Sequence, residues 1–275
     1  MGSFMNYFWR ILLAVFLLVV LQAILGFIFA IEETLTGLPL IFLSNLLMGS
    51  VLTYVIVRSD AYGLKLVGAV FLLFFGINVF NTQIEAIFFQ LQIPRTESIK
   101  IFFQGLLVAL IFSYMLVFLL DRMHRPVSNV ESKTRSSISI IGYVWRFAVC
   151  DVSYVILYCI AGAIILPYVR DFYDSLAQTP EVDKVLIMQF FRGLIYVIVT
   201  LPIIRMFTKR RSETAVMVGL QLSILGGIAP LLPPNPYMSA EVRLVHGIEI
   251  GISNFLYGAI IGLLFASRFR EGPGT

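Results

Sequence analysis

The residues best suited to chemistry stand at the head of the last apolar run, in Arg243-Leu-Val-His246-Gly-Ile-Glu249-Ile-Gly-Ile-Ser253-Asn254. His246, Glu249 and Ser253 are spaced i, i+3, i+7, which puts them on one face of a helix. An imidazole beside a carboxylate can pass a proton, hold a cation or orient a polar solute. Turned toward lipid, the two groups would be costly, so this face is expected to look at protein or water. A second stripe, Asn78, Asn81 and Glu85, repeats the same spacing in a run otherwise rich in Phe and Ile. Gln189 and Arg192 stand three residues apart on another run, and Asn45 and Gln104 add single amides on two more.

Depth ties these groups together. Counting ~1.5 Å per helical residue from the nearest loop puts Asn45, Glu85, Gln104, Gln189, Arg192, His246 and Glu249 ~5–12 Å inside one face of the molecule. Together with Asn78, Asn81, Ser253 and Asn254 they form the candidate substrate-binding set. Single amides such as Asn45, Gln104, Gln189 and Asn254 also serve as interhelical hydrogen-bonding groups. The ionisable groups carry more information. Arg192 is cationic at any ordinary pH, so of the two carboxylates one is expected to pair with it and the other to be in surplus. Either Glu85 or Glu249 could be that partner; Glu85 is preferred, which leaves Glu249 with His246 as the working pair. In an enzyme, Glu249 or Glu85 would be the general base and His246 the acid or a ligand. His246, Glu249 and Glu85 could also offer one nitrogen and two carboxylates to a metal. His124 falls in a loop and cannot join them, so no metal site is assigned and any cofactor is left open.

The elements that must position these groups are membrane spans. Of the 275 residues 59% are hydrophobic and 13% charged, where a soluble domain carries about a quarter charged residues. Apolar runs near the ~20 residues needed to cross hydrocarbon recur along the whole chain. Eight helical spans are expected over about 11–31, 39–57, 66–91, 101–120, 145–169, 185–206, 214–233 and 243–266, giving an all-α polytopic bundle. Alternating apolar strands of a membrane β-barrel are missing.

The net charge of +4 is an orientation signal and not a nucleic-acid footprint, because the basic residues gather in alternate loops. Arg10, Arg58, Lys65, Arg122, Arg125, Lys133, Arg135, Arg146, Lys209, Arg210, Arg211, Arg268 and Arg270 fall on one side. The loops at 32–39, 94–100, 170–184 and 233–243 are acidic, mixed or proline-rich. The excess of positive charge on one side predicts a cytoplasmic (inner) membrane protein with both termini in the cytoplasm. The first apolar run is too long for a signal-peptide core and lacks a cleavage site, so it reads as a retained anchor. Asn at position 6 breaks the myristoylation pattern.

The one long polar connection, 121–144, divides the chain into a first half over 1–120 and a second over 145–275. The halves carry weak internal matches: Trp9-Arg10 with Trp145-Arg146, Gly49 with Gly193, and Val67-Gly68 and Gly76-Ile77 with Val218-Gly219 and Gly227-Ile228 at equal spacing. Four spans per half would make these parallel repeats. Asp151, toward the basic end of span five, is expected to be neutralised by Arg146 or Arg205. The run Gly226-Gly227-Ile-Ala-Pro230-Leu-Leu-Pro233-Pro234-Asn235-Pro236 frees backbone carbonyls, either against a water-filled wall or in a simple kink.

Several chemistries are excluded. Cys150 and Cys159, nine residues apart on different helix faces, support neither a disulfide nor a CxxC motif. Walker, GxSxG and HExxH patterns are absent, as are paired aspartate motifs for prenyl transfer and a late-span lysine for retinal. Membrane haem enzymes share the two-times-four-helix layout but need paired axial histidines. The expected function is a membrane transporter or channel-like protein for a small solute or ion, with a polar pocket opening outward. The alternatives are an intramembrane enzyme acting on a lipid-borne or extracytoplasmic substrate, and a non-catalytic subunit of a membrane complex. The bilayer is the expected partner, with a homo-oligomer or larger complex left open.

Overall fold

The computed structural model describes residues 2–31, 37–88, 94–124, 138–174, 181–207, 210–235 and 238–266. Most of the expected linker lies outside them. Eight helices, each long and apolar enough to cross a membrane, make up the described chain, and the only β feature among these residues is one isolated bridge between Asn235 and Met238. They are α1 (Gly2–Phe29), α2 (Leu38–Arg58), α3, α4 (Arg95–Leu119), α5 (Ile140–Asp174), α6 (Val182–Arg205), α7 and α8 (Ala240–Phe265). In α3 the winding changes from α over Gly63–Phe74 to π over Phe75–Phe80, then returns to α over Asn81–Phe88. In α7 it is α over Arg211–Ser223, π over Ile224–Ile228 and α over Ala229–Leu231.

The helices run past the expected spans chiefly at polar ends. α5 begins at Ile140 instead of 145 and ends at Asp174 instead of 169, and α4 starts at Arg95 instead of 101. Turns containing Arg95, Glu97 or Asp171 are too polar to count as hydrocarbon-spanning, yet nothing in them breaks a helix. Hydropathy marks the apolar slab; the helix continues beyond it.

Within the first half α1 packs on α2 and α4, and α3 packs on α4. Within the second, α5 packs on α6 and α8, and α7 on α8. Each half thus pairs its helices first with second, first with fourth and third with fourth. Across the seam α2 meets α7, α3 meets α6, and the two π segments touch each other. Gly76-Ile77 and Gly227-Ile228, matched in the sequence, both lie inside those π segments.

The α7–α8 contact is the closest in the bundle. A methyl group at Gly258 would lie 2.6 Å from the Val218 carbonyl oxygen, and one at Gly262 2.5 Å from Ala215 Cα. Backbone therefore meets backbone, as small residues allow where hydrophobic burial cannot drive helix association.

The carbonyls freed in α7 are taken up by side chains. Pro230 removes one backbone donor from this stretch, and Asn254 Nδ2 donates to Gly226 O and to Leu222 O, each at 3.3 Å. Pro233 likewise cannot serve Ala229, whose carbonyl accepts from Ser44 Oγ at 2.7 Å. Asn78 Nδ2 donates to Leu225 O at 3.1 Å. This kinked stretch is secured by three neighbouring helices: buried carbonyls need partners, and here α2, α3 and α8 supply them.

Candidate functional site

Helix α8 presents His246 and Glu249 inward, with His246 Nδ1 3.4 Å from Glu249 Oε2 and both side chains 9% exposed. Ser239 caps the start of this helix by accepting from the Val242 N–H at 3.3 Å. The imidazole is held edge-on by aromatic rings of α5, with Tyr173 at 6.0 Å and Phe172 at 6.5 Å between ring centres. From α6, Arg192 reaches across the seam to α3, where Nη2 lies 3.0 Å from Glu85 Oε2. Arg192 is 5% exposed and Glu85 32%, so the arginine is the buried partner. Its Nη1 also donates to Gln189 Oε1 at 3.3 Å, one turn back on α6.

These groups face one small cavity of about 60 Å³, room for a few waters or one stripped ion. Glu85, Arg192, His246, Glu249, Ser253 and Asn254 line it, with Tyr154, Tyr158 and Tyr173 closing it from α5. With His246 neutral, two carboxylates and one guanidinium leave the cavity one negative charge in excess. That charge favours a cation or a proton. The Tyr158 phenol lies beside Gln189 and within electrostatic reach of Glu85, Arg192 and Glu249, so the wall can donate hydrogen bonds as well.

Not every expected group belongs here. Asn45 forms a reciprocal amide pair with Gln22 of α1, at 2.7 Å and 3.3 Å, and Gln104 donates to the Gln22 carbonyl at 3.3 Å. Asn78 secures the α7 kink. The amide of Asn81 is fully buried and makes no hydrogen bond among the described residues. Equal depth therefore divides into two clusters. One surrounds Gln22 between α1, α2 and α4, and the other surrounds Arg192 between α3, α5, α6 and α8. Longer helices also set the charged cluster deeper than expected: Glu249 lies ~13 Å and Arg192 ~15 Å inside its helix start.

Glu85 turns to Arg192 and does not join His246 and Glu249 as a third ligand. Among the described residues no group of three His, Cys, Asp or Glu could hold a metal ion. Asp151 meets neither expected arginine. Arg205 donates to Tyr143 Oη at 2.7 Å, and Arg146 lies over the rings of Trp145 and Phe265 at 5.4 and 5.9 Å. Cys150 and Cys159 are both free.

The sequence reasoning passed over Gln22 and the tyrosines of α5. Tyrosines read as interface or packing residues, but Tyr154 and Tyr158 are four apart and Tyr154 is three beyond Asp151, a spacing that marks one helix face. Compared with family models, curated proteins and solved structures, the chain shows no match.

Proposed function

We propose that this chain is a transporter of the cytoplasmic membrane for a small cation or a small solute carrying positive charge, with both termini in the cytoplasm and the charged cavity toward the opposite face. The observation that supports it most is the cavity itself. It is small, enclosed by four helices, and holds one carboxylate more than its fixed cation can neutralise. Intramembrane ionisable groups that face a cavity are substrate or proton sites by default. The Arg192–Glu85 pair also joins the two halves, so relative motion of the halves and occupancy of the cavity act on the same contact. The recurring helix pairing and the paired π segments favour a duplication of four-helix units with parallel orientation, the arrangement in which rigid halves rock about a central site.

The test is electrical. Purified protein in liposomes is exposed to jumps of proton and of small organic and inorganic cations, and charge movement is recorded. Wild type should give transient currents with at least one cation, and Glu249→Gln should lose them while remaining folded. Equal currents in the two proteins would defeat the reading.

One observation favours a second function. Glu249 and Ser253 also floor an apolar cleft of about 400 Å³ between α5 and α8, walled by Ile160, Ile164 and Ile252. A carboxylate at the base of a bilayer-facing cleft suits an enzyme that takes a lipid-borne substrate sideways. In that case Ala161→Trp, which fills the cleft, should abolish lipid turnover and leave cation currents intact.

A further inference from the structure

The site described above leaves one buried acid unused. Asp151 on α5 is 3% exposed. Its Oδ1 makes no hydrogen bond, and no ion pair among the described residues includes it. The neighbouring cations are committed elsewhere: Arg192 to Glu85, Arg205 to Tyr143, and Arg146 to the faces of Trp145 and Phe265. The titratable groups within electrostatic reach of it are Cys150 of its own helix and Tyr257 of α8, and Tyr154 shares with it the contact on Gly193; none is a cation. Against α6 it lies on Gly193, where a methyl group would come within 2.7 Å of Oδ1. A carboxylate held in this way keeps one oxygen away from water and without a partner and has gained no counter-charge, a costly state for such a group. A proton removes the charge; a metal would need further oxygen or nitrogen donors, which this niche does not offer.

Asp151 is also aligned with the cavity. Tyr154 and Tyr158 follow it at i+3 and i+7 on one face of α5, and both line the cavity with Glu249. Tyr154 packs against Tyr257 at 4.7 Å and Tyr196 at 5.6 Å between ring centres. Asp151 thus stands at the inner end of a polar column, ~10 Å along the helix from Tyr158 and nearer the basic end.

We propose that Asp151 is a second proton-binding site, a carboxylic acid in this structure, which exchanges its proton with the Glu249–His246 pair when the tyrosine hydroxyls between them, not hydrogen-bonded to Asp151 in this arrangement, come within bonding reach. In the exchange the Asp151 O–H bond breaks and a bond from hydrogen to Glu249 or His246 forms. Asp151 takes on the negative charge, and the acceptor gains one unit of positive charge. Each tyrosine oxygen on the route gains one proton as it gives one up and ends unchanged. The site stands on the geometry alone; its use as the driving proton rests on the transport function proposed above.

Infrared spectroscopy of the full-length protein in lipid, at neutral pH in ordinary and heavy water, reads the site without any substrate. Wild type should show a carboxylic C=O band above the amide envelope, shifted in heavy water. The band should vanish in Asp151→Asn and persist in Glu249→Gln. Its absence from wild type, or its survival in Asp151→Asn, overturns the proposal. Coupling is read in liposomes with a trapped pH dye under an imposed membrane potential. Proton entry should fall at least tenfold in Asp151→Asn and recover in part in Asp151→Glu. Wild-type proton entry that Asp151→Asn leaves unchanged overturns the relay. A band that behaves as expected with no proton entry in wild type confirms the proton site and overturns its coupling, and with it proton-driven transport.

Discussion

Removing Glu85 and removing Glu249 are different injuries, because only one of them strands a buried cation. With Glu85→Gln, Arg192 keeps its 5% exposure and loses its counter-charge, a change worth ~3–5 kcal/mol for a buried pair. The one-third exposure of Glu85 puts the effect toward the lower end of that range. Adding Arg192→Gln should restore most of the loss, which detergent melting of wild type, single mutant and double mutant would show as a return of the midpoint. Glu249→Gln, beside a histidine that can stay neutral, should melt near wild type. Equal destabilisation by both carboxylate changes would show that the charge count misassigns the partner. At this scale the sequence was informative about charge and silent about neighbours. Glu85, Arg192, His246 and Glu249 were legible because ions are expensive in hydrocarbon, whatever surrounds them. Asn45 and Gln104 sit at a similar depth, but depth is one coordinate; the direction each helix faces comes from packing, and theirs is toward Gln22.

At the scale of elements, α7 and α8 decide how firmly the site is held, since Asn254 and Glu249 are carried by α8 and the kink it secures is in α7. Gly258→Val should force the two backbones apart. The added side chain meets the Val218 carbonyl oxygen and Gly219 Cα, neither of which can rotate away, and overpacking of this kind costs ~1–3 kcal/mol or more. A fall in melting temperature exceeding that of Gly162→Val, at a glycine with nothing within 4 Å, is the expected result. The spacing Gly258-Ala-Ile-Ile-Gly262 carries this signal openly, four residues apart in an apolar helix. The π segments do not show in the sequence, because one extra residue per turn alters no periodicity that a run of Phe, Ile and Gly makes visible. What could be read was the effect of the prolines: Pro230 and Pro233 each withdraw one backbone donor, so the run frees carbonyls that need other partners.

For the whole molecule the strongest signal was the alternation of basic and acidic loops, a property of the chain that needs no fold. It predicts that a thiol placed at Ser132 is shielded in intact cells and one at Ser175 reacts with an impermeant reagent. Reaction at Ser132 would invert the proposed orientation. The eight spans were legible for the same reason, with ends displaced where polar turns prolong the helices. The similar helix pairing within each half was only hinted at by scattered matches such as Gly49 with Gly193.

The seam between the halves carries two ion pairs, one at the basic end and one with its arginine deep in the bundle, and the two are unlike. Arg58 of α2 pairs with Glu213 of α7 at the basic end, with side chains 45% and 23% exposed, whereas Arg192 with Glu85 is withdrawn from water on the arginine side. Dissolved ions reach both partners of the first pair but only the carboxylate of the second. Raising salt should therefore weaken the Arg58–Glu213 contact more than the Arg192–Glu85 contact, and loosen the seam first at the basic end. A cysteine-directed probe at the basic end should label faster as salt rises, with a smaller change at the far end.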